Sequence, residues 1–315
     1  MIAYRAQRPG ALRRDSGHTC PKTLYIADDQ DHMASASMVR PWERKANLPR
    51  RHPGESKTDE HLCRESGDCH GSEFRAGASG GVEICARRRH GGRAARREDQ
   101  SQRVVQQIKA LGADGLFIKT DVTQRAEIEA LVETTVTTFG HLDCAVNNAG
   151  ITGPLMVPVA EIEEDAWDAC LNTNLKAVWL CMKYEIRAML QHGQGAIVNI
   201  ASIYGFKPAA IGAAPYCASK FGLIGLSKTA AIDYAQQGIR VNVVAPGVTH
   251  SEMVDRAVEA APAMMQAVVS RYSALNRIGC AEETAEAIAW LCSDAARFVN
   301  GAVLPVDGGD AARLY

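Results

Sequence analysis

Tyr216 and Lys220 stand four residues apart in Tyr216-Cys217-Ala218-Ser219-Lys220, fourteen residues after Ser202. On a helix that spacing puts both side chains on one face, one turn from each other. A lysine ammonium beside a phenol favours phenolate and lowers a pKa that is ordinarily about 10. The tyrosine can then exchange a proton near neutral pH, as an acid–base catalyst must. The spacing alone also describes an ordinary solvated pair. Its weight comes from the segments around it.

Those segments read as strands that end in polar breaks. Gly195-Ala196-Ile197-Val198-Asn199-Ile200-Ala201-Ser202 is an apolar run suited to a strand covered on both faces, and it delivers Ser202 at its C-terminal end. Leu142-Asp143-Cys144-Ala145-Val146 runs into Asn147-Asn148-Ala149-Gly150, and Ile239-Arg240-Val241-Asn242-Val243-Val244-Ala245 into Pro246-Gly247. Between them, Glu163 to Leu190 carries Trp167, Leu171, Leu175, Val178, Met182 and Ile186 at three- or four-residue steps, the period of an amphipathic helix. Strand alternating with helix predicts a parallel, doubly wound α/β sheet, with ligands at the strand C-termini.

The chain from about Glu98 onward resembles the short-chain dehydrogenase/reductase family. The matching motifs are Asp121-Val122 after the strand Gly115–Lys119, Asn147-Asn148-Ala149-Gly150, Asn172-Thr173-Asn174-Leu175, Ser202 with Gly205, Tyr216 with Lys220, Pro246-Gly247, and Val306-Asp307-Gly308-Gly309, in family order over some 210 residues. The resemblance implies a single-domain Rossmann-type fold and hydride transfer between NAD or NADP and a secondary alcohol or ketone. It implies that Tyr216 exchanges the proton at the substrate oxygen and that Lys220 lowers the tyrosine pKa and holds the nicotinamide ribose. Ser202 would polarise the carbonyl, and Asn174 would hold a water that relays protons from Lys220. Asn148, Ala149 and Gly150 would pass close to the cofactor, Asp121 and Val122 would flank its adenine, and Pro246, Gly247, Thr249 and Ser251 would line its carboxamide end. Ser251 stands where the family more often has threonine.

The first ninety-five residues depart from the family. A member opens with a strand, a Thr-Gly-x-x-x-Gly-x-Gly turn and a helix whose N-terminus holds the pyrophosphate. Here Gly77-Ala78-Ser79-Gly80-Gly81 follows no apolar strand, and Leu, Ile, Val and Phe make only 10 of the first 100 residues, too few for a core. That hundred carries net charge +5 and the remaining 215 residues −6. The basic excess is interspersed with acids and shows no nucleic-acid stripe. His61, Cys63, Cys69 and His70 match no zinc spacing. The favoured reading is a non-family N-terminal segment, poorly ordered or translated out of frame, that rejoins the family near Arg96. From there Val104, Ile108 and Leu111 form a helix face.

In the family's strand order the two missing strands belong mid-sheet. The strand ending at Asp121 is therefore expected to lack a neighbour, the strand Leu142–Val146 to be an unpaired edge, and cofactor binding to be weak. The alternative function is a degenerate relative that binds no cofactor. Arg96 and Arg97, near the end of the second strand, favour NADP over NAD.

Ser251 to Arg277, with Met253, Met264, Met265 and Tyr272, resembles a variable substrate lid, and Ile203, Tyr204 and Phe206 would narrow the pocket. Trp167 and Trp179 read as helix packing. No apolar run reaches a membrane span. Core-like cysteines such as Cys144, Cys170, Cys181, Cys217 and Cys292 suit a reduced cytoplasm. No metal is expected, and family members are commonly homotetramers built on helices near 163–190 and 213–236.

Overall fold

The computed structural model describes residues 23–26, 90–95, 98–110, 113–209, 212–251, 254–255, 258–259 and 262–313. The strands are β1 (Thr23–Ile26), β2 (His90–Ala95), β3 (Asp114–Lys119), β4 (Cys144–Asn147), β5 (Gly195–Ile200), β6 (Ile239–Pro246) and β7 (Val303–Val306). All pair in parallel, in the order β3-β2-β1-β4-β5-β6-β7. The helices are α1 (Glu98–Ala110), α2 (Arg125–Phe139), α3 (Glu164–Leu171), α4 (Ala177–Leu190), α5 (Ala214–Asp233), α6 (Pro262–Tyr272) and α7 (Ala281–Leu291).

Alternation along the central strands builds the core. Ala145 of β4 and Ile197 of β5 join one buried cluster with Leu131, Met189 and Val241. Their neighbours Cys144, Val146, Ala196 and Val198 join another with Ile288 and Leu291 of α7. Side chains that alternate between two covered faces explain why these strands read as unbroken apolar runs.

The expected gap in the sheet is filled. Thr23–Ile26 pairs with Gly91–Ala94 on one side and with Cys144–Asn147 on the other, and β2 pairs with β3 along all six residues. The strand before Asp121 has its neighbour, and β4 is no edge. Composition misled because a central parallel strand needs only four β-prone residues, Thr-Leu-Tyr-Ile, once two neighbouring edges offer unpaired N–H and C=O groups. The domain thus recruits residues upstream of the expected boundary at 96. The histidine and cysteine cluster at 61–70, the glycines at 77–81, and Arg96, Arg97, Leu111 and Met253 lie outside the described residues.

The long helix predicted over 163–190 is present but carries a π-helical turn, Asn172–Lys176, between α3 and α4. Trp167 and Trp179 are partly exposed on its outer side, at 38% and 46%, and do not pack in the core. Helical period alone does not say which apolar stripe faces the sheet. No helix among the described residues is long and apolar enough to cross a membrane, and no disulfide joins the described cysteines to one another.

A buried polar network ties the sheet to its helices beneath the strand ends. Asn147 Nδ2 donates to Glu185 Oε2 at 3.0 Å and to Asn199 Oδ1 at 2.9 Å, and Asn199 Nδ2 donates to Ser227 Oγ at 2.9 Å. Burial pushes the Glu185 carboxyl from 4.5 up to about 8, against a smaller opposing effect of the Asn147 hydrogen bond. Between those values the folded protein keeps a proton that the unfolded chain releases. The Glu185 contribution to stability therefore falls as pH rises from about 4.5 to about 8 and is level above that. Glu185→Gln is expected to flatten this slope and to stabilise the fold by roughly 2–4 kcal/mol at pH 8. Denaturant melts of both proteins at pH 5 and pH 8 check it; parallel pH dependences would show that the carboxyl is not held neutral.

Candidate active site

Helix α5 opens on Ala214-Pro215, with proline in the first turn where its missing N–H costs nothing. It then carries Tyr216, Ser219 and Lys220 toward the C-terminal end of β5. Lys220 is only 3% exposed. A buried ammonium needs partners, and Nζ donates to the carbonyl of Ile200, the last residue of β5, at 2.8 Å. The same Nζ lies 5.6 Å from the Tyr216 ring centroid. The predicted pair is therefore a real juxtaposition, with the cation buried and the half-buried phenol beside it.

Ser202 lies two residues beyond the carbonyl that holds Lys220. Its Oγ accepts from the Tyr204 N–H at 3.2 Å and caps a short 3-10 turn, Ile203–Gly205. That turn is pressed onto α5. A Cβ on Gly205 would stand 3.0 Å from the Lys220 carbonyl oxygen and 2.7 Å from Ile224 Cδ1. Glycine is needed there because the backbone itself makes the contact.

Asn174 sits inside the π-helical turn and is fully buried. Such turns re-aim side chains and recur at functional sites. Its Oδ1 accepts from the Ile151 N–H at 2.7 Å, and its Nδ2 donates to the Ile151 carbonyl at 2.8 Å and to Ser219 Oγ at 3.1 Å. Ser219 Oγ in turn donates to the Tyr216 carbonyl at 2.7 Å. Ser219 was not singled out in the sequence, although its position three residues after Tyr216 places it on the same helix face.

The loop after β4 completes the group. β1 and β4 flank the point where strand order reverses, the usual crevice for a dinucleotide. Asn148 and Ala149 are buried at the end of β4. A Cβ on Gly150 would meet Asn174 Oδ1 at 3.3 Å and Lys220 Nζ at 3.5 Å. A side chain at 150 would thus press on the Asn174 carbonyl oxygen and touch the ammonium, whereas glycine keeps both clear. A cation that can bind ribose hydroxyls, beside a backbone loop without side-chain bulk, fits the nicotinamide half of the cofactor. The segment between Ile26 and His90, where the pyrophosphate grip belongs, lies outside the described residues.

The remaining expected cofactor residues occupy the same row of strand ends. Asp121 follows β3; its Oδ1 accepts from the Thr123 N–H and Oγ1 at 2.9 and 2.7 Å, which stabilises its own turn. Buried Val122 borders a cleft of about 260 Å³ with Thr123, Asn172 and Lys176. Pro246 ends β6, and the Gly247 N–H donates to the Val306 carbonyl at 3.0 Å. Thr249 is buried beside Gly279 and lines a second cavity of about 300 Å³, while Ser251 Oγ accepts from the Val254 N–H at 3.2 Å.

Comparison with known proteins agrees with this geometry. A family model described as Enoyl-(Acyl carrier protein) reductase matches residues 92–310. The chain is 41% identical to a cis-4-hydroxycyclohexanecarboxylate dehydrogenase of Sinomonas cyclohexanicum over 65% of this chain and 80% of that protein. It is 37% identical to a 3-oxoacyl-[acyl-carrier-protein] reductase of Staphylococcus aureus, over 67% and 83%. A solved structure from Agrobacterium tumefaciens, described as a putative 2-deoxy-D-gluconate 3-dehydrogenase with bound NADP, superposes with a TM-score of 0.67 at 31% identity, covering 75% of this chain and 92% of that one. These matches favour a working oxidoreductase over a relative that binds no cofactor. With the sheet, the Tyr216–Lys220 pair and the strand-end loops in place, the chain belongs to the short-chain dehydrogenase/reductase family, NAD(P)-dependent oxidoreductases of alcohols and ketones.

Proposed function

We propose that this chain interconverts a secondary alcohol on a compact, largely apolar skeleton and its ketone, with NADP(H) preferred. The observation that carries the reading is the buried Lys220 ammonium, held at the Ile200 carbonyl and set against the Tyr216 ring. A fixed positive charge there favours phenolate, so the Tyr216 oxygen takes the alcohol proton in oxidation and returns it in reduction. Ser202 Oγ donates to the substrate oxygen as charge develops on it. A water beside Asn174 passes the proton between Lys220 and solvent. Bound cofactor supplies the hydride acceptor or donor. Asn148, Ala149, Gly150, Tyr216 and Lys220 hold its ribose and nicotinamide, Asp121 and Val122 its adenine, and Pro246, Gly247, Thr249 and Ser251 its carboxamide end.

Support for NADP comes from chain position: β2 ends at Ala95, so Arg96-Arg97 are the next two residues. A basic residue at that place suits a 2′-phosphate. Tyr204, Phe206 and Tyr272 near Ser202, and the cyclohexane ring named for the Sinomonas relative, support a compact apolar substrate. The exposed Trp167 and Trp179 and the exposed Phe221 and Ile232 of α5 suit a homotetramer built on these helices. The thiols of Cys170, Cys181 and Cys217 suit a reducing cytoplasm. Residues 1–95 are read as foreign to the family in sequence, and the nucleotide sequence decides whether a frame disruption produced them.

The test is a titration of the purified chain with NADPH and NADH, followed by a screen of cyclic alcohols. NADPH is expected to bind between about 1 µM and 1 mM, and more tightly than NADH. Tighter NADH binding would reverse the cofactor preference, and no binding of either would defeat the functional reading.

A further inference from the structure

A second buried charged pair lies close to the proton-transfer residues and has no part in the roles given so far. Lys207, five residues after Ser202, is only 6% exposed, and its ammonium is paired with Asp310, itself 2% exposed. The partners are distant in sequence. Lys207 lies on the loop that carries Ser202, and its N–H donates to the Ile203 carbonyl at 3.2 Å. Asp310 lies in the turn after β7, which Asp307 organises by accepting from the Gly309 and Ala311 N–H groups.

A third element meets the pair. Tyr272 is the last residue of α6, and Lys207 Nζ lies 5.1 Å from its ring centroid. Tyr204, from the Ser202 turn, stands edge-on to the same ring at 6.4 Å and 83°. Burial, with the neighbouring Tyr272, pushes the Tyr204 phenol up, so it stays neutral over the working pH range. The end of α6 is also tied to the C-terminal turn. Arg313 donates to the carbonyls of Ser270 and Ser273, and the Leu275 N–H donates to Gly308 at 3.1 Å.

A buried ion pair is a poor source of net stability, because desolvation of two charges offsets most of their attraction. What it enforces is arrangement, since Lys207 cannot leave without stranding the buried Asp310 carboxylate. The surrounding rings act in the same direction, as cation–π and edge-to-face contacts hold only in one geometry. The Ser202 loop, the lid helix α6 and the turn after β7 are therefore joined at one point.

We propose that Lys207 and Asp310 are positioning residues that fix the Ser202 hydroxyl relative to the lid helix α6, so that the catalytic loop and the lid move as one unit. The proposal deepens the oxidoreductase reading and rests on it for its kinetic consequence. Displacements of about 1 Å in a reacting group cost up to about 100-fold in rate, so the pair acts on turnover without touching substrate.

The test compares the full chain with Lys207→Met, Lys207→Arg and Asp310→Asn by hydrogen exchange and by kinetics with cyclohexanone and NADPH. In Lys207→Met, amides of residues 202–207 and of α6 are expected to exchange faster together, with α2 unchanged. kcat is expected to fall roughly 10- to 100-fold while NADPH affinity stays within about twofold, and Lys207→Arg restores most of the loss. Asp310→Asn, which keeps the volume, is expected to reproduce both effects and serves if Lys207→Met fails to fold. Faster exchange in only one of the two segments, or a folded variant with unchanged kcat, would overturn the proposal. The exchange readout needs no turnover, so failure of the enzymatic reading is told apart from failure of the coupling.

Discussion

Replacing Tyr216 by phenylalanine is expected to lower kcat by roughly 10²–10⁴ while leaving NADPH affinity within about twofold. The change removes one oxygen and nothing else. The ring stays beside Lys220, whose ammonium remains held by the Ile200 carbonyl, and the Ser219 hydroxyl still donates to the carbonyl of residue 216. The loss therefore reports proton transfer and not collapse of the site. Turnover should be read across pH in both directions of the reaction, because a general acid–base group sets the pH limb it titrates on. A variant that turns over at the wild-type rate would remove Tyr216 from the acid–base role and shift attention to Ser202. A variant that also lost cofactor would show that the hydroxyl, and not the ring, carries most of the tyrosine's hold on the ribose.

Deleting residues 1–89 is expected to abolish cooperative folding and, with it, NADPH binding. β1 is paired on both sides, with four residues of β2 and four of β4. Without it, the β2–β3 pair separates from the rest of the sheet, and β4 becomes an open edge in the middle of the core. A domain stable by only 5–15 kcal/mol does not withstand the loss of two central ladders and the exposure of the apolar surface between them. Leu24→Pro is the sharper version, since it removes one backbone donor from a strand with neighbours on both sides. It is expected to destabilise by about 3 kcal/mol or more. Circular dichroism melts of the full chain, the 90–315 fragment and the proline variant decide the matter. A fragment that melts like the full chain would show that Thr23–Ile26 is dispensable and that the central slot is filled in some other way.

The strands that sequence made legible are those buried on both faces. β5 and β6 announce themselves as apolar runs because most of their apolar residues meet one of two hydrophobic layers. β1 and β2 carry no comparable pattern. His90-Gly91-Gly92-Arg93-Ala94-Ala95 has two glycines and a charge, yet it pairs along its whole length with β3. Backbone hydrogen bonding to edges already in place outweighs a weak propensity. For the same reason the turn of π-helix at Asn172–Lys176 could not be read from spacing, as it answers the need to bring Asn174 onto Ile151 and Ser219. The Lys207–Asp310 pair spans 103 positions, and no local pattern links its members.

The sequence alone determined the chemistry. Residue types at helical and strand-end spacings, Tyr216 with Lys220, Ser202 after an apolar run, and Asn148-Ala149-Gly150 after another, point to the proposed proton transfer at a cofactor site because side-chain pKa and backbone bulk are local properties. The tertiary structure decided what holds that chemistry in place. It supplied the two central strands from an unpromising segment, turned Asn174 inward, left Trp167 and Trp179 on the outside, and joined the Ser202 loop to the turn after β7 through Lys207 and Asp310. Such outcomes depend on which groups meet across long stretches of chain, and the free energy of meeting belongs to the pair and not to either residue.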